Sequence, residues 1–68
     1  QQAAGHAIAE AIAFRVFARV VEGLTRPLSE RESNALAVAC GLLALAGPTE
    51  AASLEEYTVQ RAIELASR

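Results

Sequence analysis

The chain has 68 residues, enough for one small domain with a modest core. Eight Glu against six Arg, with no Lys or Asp, give a formal net charge of −2, which disfavours nucleic acid and anionic membranes as partners. A lone cysteine, Cys40, excludes a disulfide within the chain, and one Cys with one His leaves a structural zinc site short of ligands.

A small scaffold with neither staple usually leans on a partner subunit. Sixteen alanines, together with Leu, Glu and Arg, favour helix throughout, and no period-2 run of β-branched residues suggests a strand. The bias towards Ala and Arg suggests a GC-rich bacterial gene. The first residues lack the basic region and cleavage pattern of a signal peptide, no apolar run reaches about 20 residues, and the expected localisation is cytoplasmic.

Helix 1 is expected over about residues 3–22, ended by Gly23 and barred from continuing by Pro27. Phe14, Phe17, Val21 and Leu24 form one apolar seam; Ile8, Ile12 and Val16 form a second. Arg15, Arg19 and Glu22 read as a solvated face. His6 and Glu10 stand one turn apart, but two ligands alone do not make a metal site, so a solvated pair is the simpler reading.

Helix 2 is expected over about residues 30–46. Ser29-Glu30-Arg31-Glu32 has the pattern of a capping box, and Gly47-Pro48 closes the other end. From Leu36 to Ala46 eleven consecutive residues carry no polar side chain. A surface helix should show one apolar stripe and one polar face. This one is apolar all round, so it should lie centrally and still need cover from outside. Its large residues fall on two lines. Val38, Leu42 and Leu45 have more bulk and read as the internal core. Leu36, Ala39, Leu43 and Ala46 follow the a/d spacing of a helix–helix seam, with Cys40 beside it. Leu36, Ala39, Cys40 and Leu43 are therefore the expected partner-binding residues. Ala37, Gly41 and Ala44 make a smooth strip.

Helix 3 is expected over about residues 54–67, opened by a second capping box at Ser53-Leu54-Glu55-Glu56, with Pro48–Ala52 as a turn. Glu55, Glu56, Gln60 and Glu64 mark its wet side, and Leu54, Tyr57, Val59, Ile63 and Leu65 its apolar side.

The expected fold is an all-α, three-helix antiparallel bundle in a single domain, with helix 2 central and oligomerisation completing it. No phosphate loop, HExxH, GxSxG or EF-hand pattern is present, and Cys40 sits in apolar sequence with no basic neighbour, so neither an enzyme nor a cofactor is expected. The expected function is a non-catalytic interaction module that self-associates or docks on a larger protein. The alternative is a small dimeric DNA-binding regulator of helix-turn-helix type, reading through Gln60, Arg61 and Arg68. Glu50, Glu55 and Glu56 crowd the N-terminal half of that helix, where they would repel phosphates. A third possibility is a helical carrier with an apolar cavity.

Overall fold

The computed structural model describes residues 2–68, with side chains from Ala4 onward. The protein is all-helical, with α1 (Gln2–Gly23), α2 (Glu30–Leu45) and α3 (Pro48–Ala66), and no strand among the described residues. It measures 39 × 20 × 15 Å, an elongated and thin object.

The α2 start forms as its sequence implies. Ser29 Oγ accepts from the Glu32 amide at 3.2 Å, and the Glu32 carboxylate accepts from the Ser29 amide at 2.9 Å. Two otherwise orphaned donors are thereby satisfied.

The α3 start differs from the expectation. The helix begins at Pro48 rather than near Leu54, so the residues read as a turn form its first turn. Gly47, at φ +97°, reverses the chain in a region that L side chains rarely adopt, and Pro48 supplies a φ suited to the first helical position. Ser53 therefore lies inside the helix. Its hydroxyl donates to the Glu50 carbonyl at 3.1 Å and caps nothing.

Three juxtapositions give the register of α1 and α3. A Cβ at Gly5 would stand 3.6 Å from Pro48 Cγ, Arg15 pairs with Glu55, and a Cβ at Gly23 would fall 2.5 Å from Ile63 Cδ1. The two helices thus run in the same sense. The central helix is α1: it packs extensively on both others, while α2 and α3 touch each other least.

The core follows from that arrangement. It consists of Ala9, Ile12, Ala13, Val16 and Val20 from α1, Leu36, Cys40 and Leu43 from α2, and Ala51 and Val59 from α3. The α1 positions recur at helical spacing and include two alanines, which lets neighbouring helices approach closely. Of the two α1 seams, the bulkier contributes less to this core: Phe14 and Val21 are exposed, and Phe17 and Leu24 are half-buried against it. Among the described residues only Val16 and Val20 are large side chains sealed from solvent, so the core is slight.

Candidate protein-interaction surface

Three parallel lines of side chains on α2 define the surface, each at i, i+4, i+7. Leu36, Cys40 and Leu43 point into the core and are only 6–7% exposed. Val38, Leu42 and Leu45 point away from it and are 64%, 63% and 78% exposed. This reverses the assignment expected from the sequence. The Leu36–Leu43 line fills the chain's own core, and the bulkier line faces solvent. The physical reason is size at the middle position. Cys40 is small enough for α2 to close on Ala13 of α1, whereas Leu42 would hold the helices apart. Ala39, the fourth expected partner residue, is exposed and lines a separate apolar cleft with Leu36, Val20, Leu28, Ala62 and Leu65.

The third line, Ala37, Gly41 and Ala44, forms one wall of a shallow groove of about 370 Å³ between α1 and α2. Phe14 and Phe17 stand on the α1 side, with Ala13 and Cys40 also lining it. Phe14 is 78% exposed and projects beside the groove. Glu10 marks one end, its Oε2 lying 3.3 Å from His6 Nε2. No group of three metal-ligating side chains occurs among the described residues, so this pair has no third ligand.

The charged side chains are spent elsewhere. Arg15 binds Glu55 through two nitrogens at 2.6 and 2.7 Å, and Arg19 binds Glu56 at 2.8 and 3.0 Å. The face read as solvated is thus an ion-pair seam between α1 and α3, with the Glu55 side chain only 14% exposed. Hydrogen bonds from Arg15 and Arg19 hold the Glu55 and Glu56 carboxyls below the usual carboxylate range. Arg15 and Arg19 are correspondingly less available to phosphates. Burial pushes the Cys40 thiol up, which keeps it protonated and a poor nucleophile.

The surface therefore joins a projecting aromatic, an exposed aliphatic ridge and a smooth strip between them. The α2 part carries no charge from Leu36 to Ala46. The lack of charge was legible in the sequence. The exposure of Phe14 was not, because periodicity placed it on a seam and said nothing of which seam turns inward. No helix among the described residues is long and apolar enough to cross a membrane. Comparison with family models, with curated proteins and with solved structures finds no match to this chain.

Proposed function

We propose that the chain is a non-catalytic helical module for protein–protein interaction, an antiparallel three-helix arrangement whose α1–α2 face is completed by a protein partner. One observation carries this reading: in a domain with a slight core, Val38, Leu42 and Leu45 along one line of α2, and Phe14 on α1, are all more than 60% exposed. Single exposed apolar residues are ordinary, but a contiguous group marks an interaction site.

A photo-crosslinking residue at position 45 tests the reading in cells that make the full chain. The expected result is a protein adduct of defined mass that disappears when Leu42→Glu is added. The same residue at Gln60, on the polar side of α3, should give none. Equal or absent adducts at the two positions, in a folded chain, would overturn the proposal.

A further inference from the structure

Two of the three helices are braced against each other, and the third is not. Arg15 and Arg19 tie α1 to Glu55 and Glu56 of α3, and the side chains of Pro48 and Ile63 stand against Gly5 and Gly23 at the two ends of that pair. Among the described residues no side-chain hydrogen bond or ion pair joins α2 directly to α1 or α3. The buried side chains of α2 are Leu36, Cys40 and Leu43 alone. An apolar cleft of about 280 Å³ runs between α2 and α3, the two helices that touch least, with Ala35 and Ala39 on one wall and Ala62 and Ala66 on the other.

The polar tie that α2 does have lies at one end. Arg26, in the α1–α2 connection, holds Glu32 of α2 at 2.9 and 2.8 Å and donates to the Ala66 carbonyl of α3 at 2.6 Å. That carbonyl belongs to the last turn of α3, where the helix offers it no donor. Glu32 and Ala66 both line the cleft, so one guanidinium spans its two walls. The opposite end of α2 is the Ala46–Gly47 connection, with glycine at φ +97°. Sixteen helical residues separate the two ends, about 24 Å at the usual rise per residue. Glycine takes up backbone rotation more readily than any other residue. We infer that α2 opens as a unit from a standing α1–α3 pair, turning at Gly47, and that Arg26 is the clasp that keeps it closed. Arg26 and Glu32 are both partly exposed, so releasing them requires no movement of the core. Opening carries the Leu36–Cys40–Leu43 line out of the core, where the closed molecule hides it. The clasp lies on the α2–α3 side and does not depend on what covers the α1–α2 face.

Cys40 is the single thiol of the chain and sits only 7% exposed on the moving face, so its modification reports the opening. The test is labelling of the purified full chain with excess maleimide, over a urea series that stops short of global unfolding. Arg26→Gln should label severalfold faster than wild type. Its rate should rise less steeply with urea than global unfolding does, because opening one helix exposes less surface than unfolding three. Arg61→Gln removes the same charge from a pair confined to α3 and should label at the wild-type rate. In wild type, hydrogen exchange should protect the amides around Cys40 less than those around Val16 and Val59. An Arg26→Gln rate equal to wild type, or one whose urea slope equals that of global unfolding, would show that α2 does not open on its own. Equal exchange protection across the three helices would show the same, and that comparison needs no variant to fold.

Discussion

Arg26 and Glu32 form a two-pronged ion pair at 2.9 and 2.8 Å. The pair joins the end of the α1–α2 connection to the capping turn of α2, because Glu32 also accepts from the Ser29 amide. The same guanidinium donates to the Ala66 carbonyl at 2.6 Å, reaching the last turn of α3. One exposed arginine thus binds three parts of the chain at a single end of the molecule.

Hydrogen bonds from Arg26 and Ser29 pull the Glu32 pKa down to about 2 from an ordinary 4.5. A lowered folded-state pKa contributes stability that is fully present above the ordinary value and is lost as pH falls towards the folded one. Glu55 and Glu56 are shifted in the same direction. Denaturant midpoints should therefore be flat near neutrality and fall progressively between about pH 4.5 and 2. Glu32→Gln should lower the neutral-pH midpoint and flatten that fall. An acid limb as steep as wild type would contradict the assignment.

Removing the two helix-start serines should have unequal effects. Ser29→Ala deletes a formed cap and should cost about 0.5–2 kcal/mol. Ser53→Ala, inside α3, should stay within about 0.5 kcal/mol. Urea unfolding of the two variants decides it; equal losses would mean that α3 starts at Ser53 after all.

The two lines of α2 leucines should also separate cleanly. Leu43→Ala opens the core and should cost about 2–5 kcal/mol, enough to unfold much of a small domain. Leu42→Glu, on the exposed line, should leave helicity near wild type. Far-UV circular dichroism reads both, and loss of helicity in Leu42→Glu with none in Leu43→Ala would reverse the assignment.

The Arg15–Glu55 pair should show only weak coupling in a double-mutant cycle, because Arg15 is exposed and water screens the charges. The coupling should shrink in 1 M salt. A coupling of zero at low salt would show that the crossing of α1 and α3 does not depend on this pair.

Much of the architecture was written locally. Ser29 and Glu32 announce α2, Gly47-Pro48 separates α2 from α3, and the apolar run from Leu36 to Ala46 announces a helix whose large residues are not all buried within the chain. These are short-range effects of caps, backbone preference and composition. The inward face of α2 was decided only in three dimensions. Two lines of similar hydrophobicity differ chiefly in whether Cys40 or Leu42 stands at the middle, and that matters only once α1 presents Ala9 and Ala13 at close range. The start of α3 was misread because Ser53-Leu54-Glu55-Glu56 has the pattern of a cap, while Glu55 and Glu56 are held across 40 and 37 residues by Arg15 and Arg19. Local pattern carries no information about partners that distant, so their pairing belongs to the tertiary structure alone.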